Sequence, residues 1–403
     1  MQNVSSSNSQ AVNVPKLRFP GFESEWETSC IGNFGSFYKG APLSKADISD
    51  NGIPFVLYGE LYTTYNEVAT EIIRKTEATV GDEYISESGD VIIPTSGETA
   101  EDIATATCIM KPGVILAGDL CIMRPNKIDG RFLSYIINHK AKYAIARIAQ
   151  GKSVVHIRPD EVEQIKVSYP SKSEQDKILC FLGLLSQKIE KQQQLIDSLK
   201  LYKRGAFLEL YRKSQKNKYT FSDIYETASE GGTPSTSIAE YYEKGDIPFI
   251  KIDDLSGRYV TTAKNFITQR GLEKSSAWLI PANSLIFSNG ATIGACSINK
   301  IPIATKQGIL GIVPKDNISV SFLYYYMTSS IFMKKIKAIT TKGTMDCAYL
   351  KDISTIHIEL PDFNTQIQIA EILDALSSHV EKQEGILSNL LKSKQALLQQ
   401  MFI

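Results

Sequence analysis

The sequence predicts an α+β protein in which two similar domains are separated by two long helices, packed together as an antiparallel coiled coil. Three observations lead to this prediction. The chain of 403 residues repeats itself once, each repeat ends in a helical segment with heptad periodicity, and short β-like runs without regularly alternating helices precede each helical segment. Two long repeats indicate a pseudo-twofold arrangement within one chain, because a solenoid needs shorter and more numerous units.

The repeat becomes visible when the sequence is shifted by 191 positions, which places Pro170 on Pro361 and Gln192 on Gln383. Each half is a mixed region followed by a helical region. The predicted boundaries are a first domain over residues 1–169, a central helix over 170–214, a second domain over 215–360 and a C-terminal helix over 361–403.

Both helical segments carry apolar residues at alternating spacings of four and three, which is typical of a coiled-coil core. The predicted core positions are Ile178, Leu182, Leu185, Ile189, Gln192, Ile196 and Leu199 in the first helix and Ile369, Leu373, Leu376, Val380, Gln383, Leu387 and Leu390 in the second. Because a whole domain is inserted between the helices, we expect them to run antiparallel, with Gln192 and Gln383 hydrogen-bonded near the middle. The alternative is that both glutamines merely tolerate partial exposure. A capping box at 171–174 and a cap at Asp362 or Asn364 predict the two helix starts.

Further apolar residues lie outside this coiled-coil seam. They are Leu179, Phe181 and Leu184 in the first helix and Ala370, Ile372, Ala375 and Ile386 in the second. A two-helix coil cannot bury both sets, so we expect a further partner, either the chain's own domains or another chain, to cover them. A helix of about 41 residues is roughly 60 Å long, and we expect it to hold the two mixed domains apart.

The composition excludes several classes of protein. The 44 Lys plus Arg residues balance 44 Asp plus Glu residues, so no polycationic tail is present to coat nucleic acid. Six cysteines without a Cys-x-x-Cys pair and only four histidines predict neither a metal site nor a disulfide framework. Residues 1–14 lack the pattern of a signal peptide, and no apolar run approaches the roughly 18 residues of a membrane span, so we expect a cytoplasmic protein.

No catalytic residue is predicted. Residues 146–153 fit a loose phosphate-loop pattern, but a helical pattern precedes them, whereas a phosphate loop follows a strand and opens a helix. The Asn/Asp-Pro-Pro-aromatic motif of amino methyltransferases is missing, because the chain has no Pro-Pro dipeptide. Pro159 and Asp160 are at the wrong spacing from Lys166 for a metal-dependent nuclease. We therefore expect a protein that is not itself an enzyme.

Over almost its whole length, the chain resembles the specificity subunits of type I restriction-modification enzymes in the order and duplication of several motifs. These motifs are 15–23 with Trp26, Gly231-Gly-Thr-Pro-Ser235 followed by 247–250, 170–178, and the Gly-Lys-Ser and Lys-Gly-Thr segments at 151–153 and 342–344. The second helix departs from the family at Thr365, where Glu usually precedes Gln366. This departure affects only the strength of the helix cap.

The resemblance implies a non-catalytic reader of double-stranded DNA. Each mixed domain is then a target recognition domain for one half of a bipartite, asymmetric site. The helices set the gap and dock two methyltransferase subunits, and restriction and translocase subunits join that core. S-adenosylmethionine, ATP and Mg²⁺ are used by the partners, and this chain binds no cofactor. Two alternatives stay open: a detached recognition module of a single-chain restriction-methylase, and a coiled-coil assembly protein without a DNA role.

Polar loop residues at matched places in the two halves are the candidates for DNA binding. In major-groove recognition, Arg and Lys pair with guanine and Asn and Gln with adenine, while many other polar loop residues contact only phosphate or solvent. The candidates are Tyr58, Tyr62, Thr95, Ser96, Lys152 and Ser153 in the first half and Lys251, Asp253, Ser288, Asn289, Lys306, Gln307, Lys342 and Thr344 in the second.

Overall fold

The structure is a computed structural model that describes residues 13–151, 154–290, 292–341 and 346–403. The chain forms two compact units. The first comprises Met1–Lys191 and Leu387–Ile403, and the second comprises Gln192–Ile386. Each unit therefore contains one mixed domain together with parts of both long helices.

The strands of the first unit are β1 (Glu27–Cys30), β2 (Gly35–Lys39), β3 (Ile53–Leu57), β4 (Val68–Ala69), β5 (Lys75–Thr76), β6 (Asp90–Pro94), β7 (Ser96–Gly97), β8 (Thr107–Ile109), β9 (Ile115–Ala117), β10 (Leu120–Pro125), β11 (Val155–His156) and β12 (Lys166–Tyr169). The unit is built on a five-stranded sheet with the strand order β2-β10-β6-β8-β4, together with a three-stranded sheet of order β5-β3-β9. Its short helices are α1 (Ala100–Ile103), α2 (Gly130–Ile136), α3 (Lys142–Ile148) and α4 (Pro159–Glu163).

The long helix α5 (Lys172–Lys213) then leads into the second unit, which repeats this topology. Its strands are β13 (Asn217–Thr220), β14 (Tyr225–Glu230), β15 (Ile247–Ile250), β16 (Tyr259–Val260), β17 (Asn265–Ile267), β18 (Leu285–Ser288), β19 (Cys296–Asn299), β20 (Ala304–Thr305), β21 (Ile309–Pro314) and β22 (His357–Leu360). Its helices are α6 (Gln269–Glu273), α7 (Val320–Thr328), α8 (Ser330–Ile339), α9 (Leu350–Ser354) and the long α10 (Phe363–Met401).

The two five-stranded sheets have the same connectivity. The second sheet runs β14-β21-β18-β19-β16, in which each strand takes the place of β2, β10, β6, β8 and β4 in turn. In both sheets the last strand pairs in parallel with its neighbour, as Val68 does with Cys108 and Tyr259 with Ile298. The predicted α+β class and internal repeat are confirmed.

The long helices pack antiparallel inside each unit. In the second unit the later part of α5 lies against the early part of α10, and Lys200 Nζ is 2.7 Å from Glu384 Oε1. In the first unit the early part of α5 shares a core with the end of α10, where Leu182 and Leu398 are both buried. The predicted antiparallel coiled coil is therefore confirmed.

The end of each long helix is anchored in a core of aromatic side chains. Phe402, just after α10, packs against Trp26 and Phe132 in the first unit. At the matched place in the second unit, Tyr211 near the end of α5 packs against Tyr326. These residues are buried, so each unit includes the end of a helix as part of its core.

The sequence patterns of residues 131–149 and 321–339 each predict one helix, and the structure interrupts both. The helix predicted over 131–149 is interrupted between α2 and α3 by a π-helical turn, Ile137–Ala141. Here the Asn138 side chain donates to the carbonyls of Ala106 and Ser134, at 2.7 and 2.9 Å, and such side-chain bonds compete with regular helical hydrogen bonds. The helix predicted over 321–339 breaks at Ser329, whose hydroxyl caps α8.

The starts of the two long helices are stabilised differently. Before α10, Asp362 accepts a bond from the backbone N–H of Thr365 at 3.1 Å, which confirms that cap. Before α5, both carboxylate oxygens of Glu174, the last residue of the predicted capping box, accept bonds from Arg18 at 2.7 Å. Arg18 belongs to the opening motif, so this buried ion pair ties the N-terminal segment to the start of α5.

Candidate nucleic-acid interface

Four loops of the first unit converge at one end of its five-stranded sheet. They follow β2, follow β6, join β9 to β10 and precede α4, and we call them the first loop cluster (39–43, 95–96, 118–120 and 156–159). Backbone bonds connect them: Thr95 donates to Asp119 at 2.8 Å, Ile157 donates to Thr95 at 3.1 Å, and Gly40 donates to Leu120 at 3.2 Å. The loops therefore form one connected surface.

The second unit contains the same network at matched positions. Asn289 donates to Gly308 at 3.1 Å, Ala348 donates to Asn289 at 2.9 Å, and Gly231 donates to Ile309 at 2.9 Å. We call these loops the second loop cluster (230–234, 289–290, 306–309 and 347–348). The two clusters share a backbone framework, while their side chains differ.

Glycine is required where these loops approach each other most closely. A Cβ atom on Gly40 would lie 2.5 Å from the carbonyl oxygen of Gly118, and one on Gly231 would lie 2.3 Å from that of Thr305. Contacts this short do not occur in proteins, so the Gly-Gly-Thr-Pro segment of the second half has a structural role.

The first loop cluster lines an open cavity of about 600 Å³ with mixed polarity. Lys39 and Arg158 contribute positive charge and Asp119 contributes negative charge. The Ser96 hydroxyl lies 2.8 Å from Nδ1 of His156, so these two side chains form part of the cavity wall. This mixture of donors and acceptors is suited to recognition of polar groups such as base edges.

Several predicted DNA-binding residues lie in or beside the loop clusters. In the first unit Thr95 is half-buried within the cluster, and the ring of Tyr58 lies 3.4 Å from the Cβ position of Gly118. Tyr62, also half-buried, follows the turn that begins at Tyr58, and burial raises the pKa of its phenol. In the second unit Lys306 and Gln307 are exposed at the turn between β20 and β21.

Lys251 and Asp253 are exposed at the end of β15, and Lys251 Nζ donates to Asn265 at 3.0 Å. The predicted residues Lys152, Ser153, Lys342 and Thr344 lie outside the residues that the structure describes.

Three candidates are buried. Ser288 and Asn289 have no exposed surface, so the structure does not place their side chains on the loop surface, whereas Ser96 is 5% exposed and reaches the cavity wall beside His156. Asn289 instead donates through Nδ2 to the carbonyl of Ala348 at 3.1 Å. Asn289 therefore helps to hold the loops of its unit together beneath the surface.

The structure adds cluster residues that the sequence prediction missed. Lys39, Asp119, His156 and Arg158 line the cavity but were not among the candidates. A sequence signal for the loop after β2 does exist, because a glycine recurs at matched places in the two halves. Gly40 follows β2 and Gly231 follows β14.

The predicted partner surface on the long helices is partly covered by the chain itself. Leu179 and Ala370 are buried in the cores of their own units, and Phe181 packs edge-on against Phe19, so the chain's own domains cover these three. Leu184, Ile372, Ala375 and Ile386 remain exposed. Further exposed apolar residues on the same helices are Leu195, Leu201, Tyr202, Leu208, Phe363 and Leu391.

All predicted coiled-coil core residues are buried or half-buried in the structure.

Among the described residues, no group of three or more His, Cys, Asp or Glu side chains is placed to hold a metal ion. Within the same part of the chain, no helix has the length and apolar character needed to cross a membrane.

Comparison with protein families gives a match that covers most of the chain. The family described as "Type I restriction modification DNA specificity domain" matches twice, at residues 23–201 and 213–392. The two matched regions correspond to the two repeats.

Individual relatives are similar over shorter or more distant alignments. The type I restriction enzyme MjaIX specificity subunit of Methanocaldococcus jannaschii is 32% identical over 174 residues, 42% of this chain and 40% of the relative. The EcoR124I/EcoR124II specificity subunit of Escherichia coli is 31% identical over 150 residues, 36% of this chain and 37% of the relative. These alignments thus span less than half of either relative. The MjaVIII specificity subunit of Methanocaldococcus jannaschii aligns over 95% of this chain and 92% of its own length at 22% identity.

Solved structures support the fold. The type I restriction-modification S subunit from M. genitalium has a TM-score of 0.58 at 16% identity and covers 97% of this chain and 99% of its own. A chain from a study of complex assembly and conformational transition of the type I R-M system has a TM-score of 0.59 at 16% identity, over 95% of this chain and 98% of its own. At this level of identity the likeness concerns the fold alone.

Proposed function

The chain belongs to the type I restriction-modification DNA specificity family, and from that premise we propose that it is the non-catalytic specificity subunit of a type I restriction-modification complex. Each mixed domain reads one half of a bipartite DNA site. The observation that supports this proposal best is the duplicated loop cluster, built on the same sheet connectivity in both units. Two readers of one design suit a site that has two parts.

The side chains on the shared framework favour an asymmetric site. The turn before β10 presents Gly118 and Asp119, while the matched turn before β21 presents Gln307 and Gly308. Asp accepts hydrogen bonds from cytosine, and Gln pairs with adenine through two bonds in the major groove. Equivalent backbones with different side chains would therefore read different base pairs in the two half-sites.

The long helices would set the gap between the half-sites and dock two methyltransferase subunits. Helix α5 is continuous over Lys172–Lys213 and contributes residues to both units. Leu201 and Tyr202 on this helix are 70% and 64% exposed. Large apolar side chains at adjacent exposed positions are typical of protein interfaces, so a separate subunit is the partner that they favour.

The partners would supply what this chain lacks. Its 44 basic and 44 acidic residues leave no net charge to neutralise phosphates, so partner subunits would provide much of the electrostatic affinity for DNA. S-adenosylmethionine, ATP and Mg²⁺ would be used by the methyltransferase and by the restriction and translocase subunits. Because chromosomal DNA is the expected ligand, the cytoplasm is the expected compartment.

Selection from a pool of random DNA duplexes tests the proposal. The chain is purified together with the methyltransferase subunit encoded beside it, and the DNA duplexes that this complex binds are sequenced. We expect a motif in two parts with a fixed gap. The double variant Lys306→Ala/Gln307→Ala should relax only one part, while Lys264→Ala, an exposed lysine outside the loop cluster, should change neither.

Two outcomes would contradict the proposal. An uninterrupted motif would contradict two separate readers. Equal affinity of the chain alone and of the complex would favour a recognition module detached from a single-chain enzyme, because the methyltransferase would then add nothing to DNA binding.

A further inference from the structure

Glu67 and Arg258 occupy the same position in the two units but carry opposite charges. Each residue directly precedes the edge strand of its sheet, β4 or β16. The backbone carbonyl of Glu67 accepts a bond from Cys108 at 2.9 Å, and that of Arg258 accepts one from Ile298 at 2.8 Å. The two backbones are therefore equivalent, and the side chains differ in sign.

In the first unit Glu67 joins the mixed domain to helix α10. Its carboxylate lies 3.2 Å from Lys394 Nζ and 2.9 Å from His139 Nε2. Both Glu67 and Lys394 are largely buried, with 14% and 17% of their side chains exposed. Burial alone would raise the pKa of Glu67, but the bond to His139 and the charge of Lys394 lower this pKa to about 2.

In the second unit Arg258 joins the mixed domain to helix α10 through an acidic residue. Its Nη2 atom lies 2.5 Å from Asp374 Oδ1 and also bonds to Ser321. The guanidinium is 8% exposed and lies 4.7 Å from the ring centre of Tyr259 and 4.9 Å from that of Tyr325. Arg258 is thus held by one carboxylate and by aromatic faces.

The helix residues that meet these two side chains also differ between the repeats. The shift of 191 positions places Asp374 on Gly183, so the first helix has no carboxylate where the second has one. The same shift places Lys394 on Lys203, so both helices have lysine at the other position. Lys203 donates to Ser377 at 3.2 Å, and burial together with the charge of Arg258 lowers its pKa.

Only the native combinations pair these charges. An arginine at position 67 would meet Lys394 with no carboxylate at Gly183. A glutamate at position 258 would lie beside Asp374, and these two carboxylates would have only Lys203 to share between them. A buried charge without a partner is strongly destabilising, so each mixed domain matches the helix residues of its own unit and not those of the other.

We propose that Glu67 and Arg258 are positioning residues whose charges determine which part of the coiled coil each mixed domain can occupy. A domain with Glu at this position excludes a carboxylate at helix position 183, and a domain with Arg requires the carboxylate at helix position 374. This assignment concerns assembly of the chain, and it holds whether or not the domains read DNA.

A charge-transfer experiment in the full chain tests the proposal. The variants are Glu67→Arg, Gly183→Asp and the two combined, which transfers the Arg–Asp pair of the second unit into the first. A Cβ atom on Gly183 has no atom within 4 Å, so the aspartate has space. Local opening is measured by hydrogen exchange of the last turns of α10, with the second unit as internal reference.

We expect each single variant to increase local opening of the first unit, by roughly tenfold or more for Glu67→Arg. The double variant should open less than Glu67→Arg. The matched control is Glu67→Arg/Gly183→Asn, in which asparagine has the size of aspartate but no charge. Its local opening should stay as high as that of Glu67→Arg. Opening of the double variant equal to the product of the two single effects would overturn the proposal.

A milder pair keeps the test valid if Glu67→Arg does not fold. Gly183→Asp should increase opening when Glu67 is present, because two carboxylates then lie near one lysine. The same substitution should have little effect or decrease opening in the Glu67→Gln background. An equal effect of Gly183→Asp in both backgrounds would show that charge does not position the domain, and would overturn the proposal.

Discussion

Gln192 and Gln383, which are 191 residues apart in sequence, are hydrogen-bonded to each other within the coiled coil. Nε2 of Gln192 donates to Oε1 of Gln383 at 2.9 Å and to its backbone carbonyl at 3.1 Å. The two glutamines occupy the same heptad position of the two repeats. A polar pair in an apolar seam lowers stability but disfavours other registers, in which each amide would be buried without its partner.

The glutamine pair leads to a first prediction about stability and register. Gln383→Leu alone should lower the free energy of unfolding by about 1 kcal/mol, because Gln192 then loses its side-chain partner. The double variant Gln192→Leu/Gln383→Leu should be at least as stable as the native chain, since an apolar pair suits the seam. Urea denaturation followed by circular dichroism measures both, and a double variant less stable than the single one would contradict this account.

A second prediction concerns acid sensitivity of the first unit. Because the pKa of Glu67 is lowered to about 2 from an ordinary value of 4.5, its ionised form stabilises the folded state above that ordinary value. This contribution, on the order of 3 kcal/mol, should be lost as pH falls from about 4.5 to about 2. Hydrogen exchange measures local opening of the first unit in the native chain and in the Glu67→Gln variant, each relative to its own value at neutral pH. As the pH falls through this range, opening should increase more in the native chain than in the variant. Identical pH profiles would contradict it.

A third prediction concerns the exposed apolar surface of α5. Leu201→Ser/Tyr202→Ser should weaken binding of the methyltransferase subunit by about tenfold or more, because aromatic anchors such as tyrosine carry much of the binding energy at protein interfaces. The fold should be unaffected, since both residues are exposed. Ile73→Ser is the matched control, because Ile73 is 71% exposed but lies outside the helices. Size-exclusion chromatography with a titration measures binding, and equal loss in the control would contradict the assignment.

A fourth prediction concerns DNA binding by the second loop cluster. Lys306→Ala should weaken binding of DNA by the assembled complex by about threefold to tenfold, and Lys152→Ala is expected to act similarly in the first half. Lys264→Ala removes the same charge from an exposed position outside the cluster. Gel shifts at low salt compare the three variants, and unchanged affinity of Lys306→Ala would exclude this residue from the interface.

The sequence predicted the helical framework well because coiled-coil periodicity is local and regular. Ile178 and Ile369 illustrate this, since the spacing of apolar residues alone places both in the seam and both are buried. The antiparallel orientation of the two helices was also predictable, because the domain inserted between them makes a parallel pairing difficult to reach. The breaks at Asn138 and Ser329 were not predictable, because they depend on contacts with side chains and carbonyls distant in sequence.

The loop residues were less predictable because exposure depends on tertiary packing. Ser288 ends a strand and Asn289 follows it, and both look like surface loop residues in the sequence, yet other loops cover them completely. Conversely, His156 reaches the cavity only because β11 pairs with β7. The pairing of Glu67 with Lys394 spans 327 residues, so no local pattern could indicate it.

The most direct test of the central claim is a map of methylated adenines in a host genome that expresses this chain with the methyltransferase subunit encoded beside it. Two readers in one chain predict a bipartite motif with a fixed gap, in which substitutions in the second loop cluster alter one half only. A continuous motif, or loss of both halves from substitutions in one cluster, would contradict the account.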